Sequence, residues 1–163
     1  MPPMSTLGWF HTAMGVIALL SGIITLYKHK EITSQSISGQ IYLLATLVTA
    51  ATALAIYQQG SFGPGHILAV LTLGALTLGT VAGYSDIFGK ISRSIRAVSY
   101  TATLLFHSIP AVTDGLLRLP VGDPILTSIE DPILLMCYAA LLLLYVVGVT
   151  WQLRWIRRQH PLG

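Results

Sequence analysis

The residues best suited to chemistry in this chain are three histidines set within or at the edges of long apolar runs. His11 lies near the start of "FHTAMGVIALLSG", His66 opens "HILAVLTLGALTLG", and His107 interrupts "YTATLLFHSIPAVTDGLLRLP". A neutral imidazole offers a nitrogen lone pair, and imidazoles on separate helices at similar depth can ligate a transition metal or a haem iron. Asp114 follows His107 by seven residues. There it can be a further ligand or the acceptor that orients an imidazole. The candidate cofactor ligands are therefore His107, His11 and His66, and the candidate metal set adds Asp114. The cofactors that suit them are haem b or a transition metal. His29 and His160 lie in basic stretches and read as solvated.

Only long apolar helices can position such residues. The chain of 163 residues is 53% hydrophobic and 9% charged, with mean hydropathy +0.72. A soluble domain carries roughly 25% charge, so a soluble core is excluded. Several runs reach the ~20 apolar residues that cross a bilayer. The reading is an all-α polytopic membrane protein, a single transmembrane domain over residues 1–163. Its five spans fall at about 7–27, 40–57, 66–84, 95–117 and 132–153. "QQGSFGPG" and "LPVGDP" break the chain between spans. No Lys or Arg occurs in residues 1–5, so the first run is expected to stay as a helix rather than leave as a signal peptide. Cys137 sits alone in an apolar run and can form no internal disulfide.

The net charge of +3 does not point to nucleic acid, because the cations sit at span ends. In a five-span chain, all nine Lys and Arg except Arg118 fall on one side: Lys28, Lys30, Lys90, Arg93, Arg96, Arg154, Arg157 and Arg158. The positive-inside rule makes that side cytoplasmic, with the N-terminus outside and the C-terminus inside. The expected location is a bacterial inner membrane. Trp9, Trp151 and Trp155 mark span ends. "DPIL" occurs twice in the outer loop. Asp131-Pro132 is expected to cap and open span five, and Asp123-Pro124 a short turn.

Helices in lipid associate through small residues and polar contacts, and their spacing marks the inward faces. Span one shows His11, Gly15, Ala18, Gly22 and Thr25 in one row, and span two Gly39, Tyr42, Thr46, Thr49 and Ala53. Span three offers two rows, Thr72, Gly79 and Gly83 or His66, Thr77, Thr80 and Tyr84, both buried if it is central. Span four carries a polar stripe of Arg96, Tyr100, Thr103, His107, Asp114 and Arg118. A charge at mid-membrane costs ~3 kcal/mol, so such a face turns inward or lines a wet cavity. Asp114 and Arg118, one turn apart, are expected to pair, and Pro110 to kink the helix. Span five is bulky and apolar, so helices 1–4 are expected to form the bundle with helix 5 peripheral.

The segments "FHTAMGVIALLSGIITL" and "SGQIYLLATLVTAATAL" resemble a group of uncharacterised small bacterial multi-pass membrane proteins, of the domain-of-unknown-function kind. These are similar in layout to four-helix b-type cytochromes. The resemblance covers about half the chain. It rests on a histidine starting span one, glycines along it, and Gly-x-Ile-Tyr opening span two. Where that pattern places histidines before spans two and four, this chain has Gln35-Ser36 and Ser92-Arg93. The resemblance thus implies a site on the outer side alone.

Three readings stand. The first is a binding or redox-type protein whose outer half holds a metal or haem on His107 with His11 or His66. The second is a non-catalytic accessory subunit that meets other membrane subunits through helix 5 and the outer loop 118–131. The third is a small transporter or proton conductor using the stripe of helix 4. Against all three, an interfacial histidine needs no ligand, and Tyr and Thr can simply bond neighbouring helices. No H-E-x-x-H, G-x-S-x-G, Walker A or C-x-x-C motif is present, so no soluble-type enzyme is supported. The lipid bilayer is the one partner common to every reading.

Overall fold

A computed structural model describes residues 5–57, 61–85 and 87–159. The described residues hold five long helices and no strand: α1 (Thr6–His29), α2 (Ile37–Leu54), α3 (Pro64–Tyr84), α4 (Ser92–Arg118) and α5 (Pro132–Gln159). A 3-10 turn at Gly89–Ile91 leads into α4. Each expected span has its helix. α2 starts earlier than 40, because Ser36 caps it through a 3.1 Å bond from the Gly39 N–H. α5 runs beyond 153 to Gln159, and Ile156 is buried in that extension.

The helix ends follow local chemistry. Ser5 caps α1 by accepting from the Gly8 N–H at 3.1 Å. Lys30 closes α1 in the left-handed region at φ 64°, a conformation that costs a side-chain-bearing residue about 1 kcal/mol. It is held from both sides: its N–H donates to the Leu26 carbonyl, and its own carbonyl accepts from Gln152 Nε2 at 2.9 Å. Asp131 caps α5 by accepting the Ile133 N–H at 2.8 Å, with Pro132 in the first helical position. At the other "DPIL", the turn lies ahead of Asp123, whose N–H donates to the Pro120 carbonyl.

α1 packs on α2 and α4, and α3 packs on α2 and α4, which closes a ring of four; α5 packs on α4 from outside. Four helices, α1, α2, α3 and α5, are long and apolar enough to cross a membrane. α4 falls short of that measure, because Ser and Arg crowd residues 92–96 and Asp114 and Arg118 sit near its end. It lies nonetheless against α1, α3 and α5 and continues as one helix through Pro110.

The expected seams hold on α1 and α2: Ala18, Gly22 and Thr25, then Gly39, Tyr42, Thr46 and Thr49, are buried. On α3 only one row is buried, through Thr72 and Gly79. Gly83, Thr77, Thr80 and Tyr84 are exposed, because α3 is a ring member and not a central helix. Two tyrosines set the ring's spacing. A Cβ on Gly79 would stand 2.5 Å from the Tyr100 ring, and one on Gly22 would stand 2.7 Å from Tyr42. Both rings are essentially fully buried.

Leu126 turns back from the loop between α4 and α5 to pack with Leu117 and Leu134, fixed by its N–H to the Leu116 carbonyl at 2.9 Å. Val121, Ile125 and Ile129 of the same loop remain exposed.

The glycines give a direct contrast. Gly79→Ala forces the Tyr100 ring or α3 to move and is expected to destabilise the fold by about 1–3 kcal/mol. Gly74→Ala meets open space and is expected to be neutral or to stabilise by up to ~1 kcal/mol. Thermal unfolding of the two variants in detergent, followed by circular dichroism, checks the order.

Candidate functional site

The polar stripe of α4 divides into two parts with different work. The part near the basic end is committed to structural bonds. Glu31, just past α1, accepts from Arg93 Nε at 3.0 Å and Nη2 at 2.7 Å, and from Arg96 Nη2 at 3.2 Å. Its side chain is 9% exposed. Arg93 also lies over the Trp155 ring. One turn further along α4, the Tyr100 hydroxyl bonds Thr80 at 3.1 Å. The Tyr42 hydroxyl reaches across from α2 to Thr103 at 2.5 Å and to the Tyr100 carbonyl at 3.3 Å. Thr101 donates to Gln152 Oε1 at 2.9 Å and so ties α4 to α5.

The part towards the C-terminal end of α4 holds His107, and His11 lies on the neighbouring α1. His107 is buried, and its Nε2 has no hydrogen-bond partner among the described residues. His11, on α1, is half-buried; its Nδ1 lies 3.1 Å from Thr52 Oγ1 on α2. The direction of that bond follows from the hydroxyl's single proton. Thr52 donates to the Val48 carbonyl at 2.8 Å, shared with the Thr49 carbonyl at 3.0 Å. Its oxygen can then only accept from His11. His11 therefore carries its proton on Nδ1, and Nε2 keeps its lone pair. A ring nitrogen fixed by a hydrogen bond with the other free is how a metal-binding histidine is usually oriented.

The two remaining candidates stand apart. His66 Nδ1 accepts the Gly63 N–H at 3.1 Å, which caps α3. Its ring packs against Tyr57 and Phe62, with centroids 4.6 and 5.0 Å away. The Nε2 of His66, like that of His107, is buried without a hydrogen-bond partner, but α3 shares no seam with α1, so His66 is held away from His11. Asp114 pairs with Arg118 at 3.0 Å, as expected, yet its side chain is 56% exposed, on the flank of the bundle. The four expected metal ligands are thus not gathered: among the described residues no three His, Cys, Asp or Glu side chains could hold one ion. His11 and His107 lie on α1 and α4, two helices that pack against each other. His29 is exposed, and His160 lies outside the described residues.

Sequence reasoning missed Glu31 and Gln152 as structural groups. Each carries a signal in its chemistry: Glu31 is the sole acid in the 28–36 stretch, facing Arg93 and Arg96, and Gln152 is an amide within the apolar stretch of α5, ahead of its arginines Arg154, Arg157 and Arg158. Set beside known protein families, curated proteins and solved structures, the chain matches none.

Removing the Glu31 charge leaves two arginines facing each other in a half-buried site. Glu31→Gln is expected to cost about 3 kcal/mol, while Arg118→Gln, which breaks an exposed pair, costs at most ~1 kcal/mol. Unfolding midpoints in detergent measure the difference.

Proposed function

We propose that this chain is an integral membrane protein with five spans, its N-terminus outside and its basic end in the cytoplasm of a bacterial cell. In this reading His11 and His107 bind a metal-centred cofactor in the outer half of the bundle. The observation that carries the reading is the buried Nε2 of His107, left without a partner on a helix next to the one that carries the free Nε2 of His11. A buried polar atom without a partner costs stability, and a ligand relieves that cost. Two imidazoles without a third protein ligand suit haem b, whose macrocycle supplies the other ligands to its iron, better than a bare ion that needs a full protein shell. α1 and α4 share the shortest seam of the ring, and this is where a planar group would enter.

The hydroxyls below His107 favour a blind site over a through-going conductor. Tyr42, Thr103, Tyr100 and Thr80 are bonded to one another, and both tyrosines are seated on glycines. Docking to other membrane subunits keeps one support of its own: the outer flank of α5 exposes Leu135, Met136, Leu142, Leu143 and Leu144.

Absorption spectroscopy and metal analysis of the purified protein, expressed with haem precursor and metal supplied, provide the test. The expected result is a Soret band or stoichiometric metal that His107→Ala and His11→Ala each abolish and His66→Ala retains. Protein free of both groups, or a bound group that survives His107→Ala, overturns the reading. Such protein recovered only with a larger complex supports the docking role instead.

A further inference from the structure

Gly148 sits well inside α5. With no side chain, it leaves a notch in the surface of the helix. Nothing within the chain uses that space: no atom lies within 4 Å of where its Cβ would stand. Gly22 and Gly79 differ, since tyrosine rings fill theirs. Around Gly148 an open, shallow notch lies on the outward flank of α5 itself, bordered by Val146, Val147, Thr150, Trp151 and Arg154 of that one helix.

The notch has a polarity. It is apolar at Val146 and Val147 and reaches Arg154 about 10–12 Å further along the axis, at 1.5 Å per residue. Trp151 stands between, exposed over 57% of its surface, with Lys30 Nζ 4.9 Å from its ring centroid. Arg93 and Arg96 share the single carboxylate of Glu31, whereas Lys30 and Arg154 make no ion pair among the described residues. An apolar trough that ends at an indole and two uncompensated cations complements one kind of molecule: a phospholipid with an anionic headgroup. A second copy of the chain fits less well, because a like helix seated symmetrically in the notch would bring Arg154 against Arg154. The comparable hollow beside Gly74 on α3 is lined by Val70, Leu73, Thr77, Leu78 and Val81 and offers no cation.

We infer that this flank of α5 is a specific binding site for an anionic phospholipid. One acyl chain lies past Gly148, and the phosphate sits between Arg154 and Lys30. The site rests on the membrane-embedded part of the reading above and is independent of the histidine pair.

The test reconstitutes the full chain into vesicles of equal parts phosphatidylglycerol and phosphatidylcholine, re-extracts it in mild detergent, and quantifies retained lipid by mass spectrometry. Phosphatidylglycerol is expected to be enriched. Arg154→Gln and Lys30→Gln each lower its retention about fivefold. Gly148→Leu, which fills the trough without touching charge, lowers it as well, while Arg157→Gln and Arg158→Gln leave it unchanged. Equal retention of the two lipids, wild-type retention in Gly148→Leu, or an equal loss in the Arg157 and Arg158 variants overturns the site in favour of a diffuse basic belt. A crosslinked dimer abolished by Gly148→Leu overturns it in favour of a second copy. Failure to enter vesicles at all sinks the membrane reading and the lipid site with it.

Discussion

The fold hangs on the seating of two tyrosine rings against two glycines. Tyr100 occupies the space that a side chain on Gly79 would take, and Tyr42 does the same at Gly22. Because each ring is large and rigid, this contact fixes both the distance and the register between neighbouring helices. The Tyr42 hydroxyl then bonds Thr103 and the Tyr100 carbonyl, so the two seatings are one linked unit rather than separate contacts. In an environment where apolar surface gains nothing by leaving solvent for a neighbour, close packing and satisfied polar atoms are what remain to hold helices together. Everything else is arranged around that unit: the Glu31 cluster below it, and the histidines above it.

The division of α4 follows from this arrangement. Below His107 the polar atoms are bonded across helices, and the stripe serves as adhesive. Beyond Thr103 the bonds from α4 to other helices thin to Thr113 with Tyr138 of α5 at 2.7 Å, and an imidazole nitrogen is left bare inside the bundle. A polar face on a single helix thus has two meanings, and only the partners supplied by other helices separate them.

That is also the boundary of what the sequence makes legible. Helix positions and the seams of α1 and α2 can be read directly, because small and hydroxylated residues recur there at helical spacing and a seam has one face to occupy. α3 carries two such rows, and periodicity cannot choose between them; the choice depends on whether the helix is surrounded, which is a property of the assembly. His66 escaped because its role as a helix cap, accepting the Gly63 N–H, usually belongs to Glu or Gln. Glu31 escaped because its partners lie more than sixty residues away. The Asp114–Arg118 pair was legible since it needs only one helical turn, but its exposure was not, because the phase of the stripe past Pro110 is set by packing.

The composition of α4 constrains how the protein comes to be assembled. A helix with this many serines and arginines gains little by entering lipid alone. Among the described residues, its polar side chains find partners beyond the helix itself on α2, on α3, on α5 and in the turn after α1. Three of those four precede it in the chain, and the last, Gln152, follows it and also grips the Lys30 carbonyl. The biosynthetic order therefore matches the order of need: α1 to α3 form a receptive surface, α4 closes against it, and α5 arrives last to latch the first turn of the chain to the final helix.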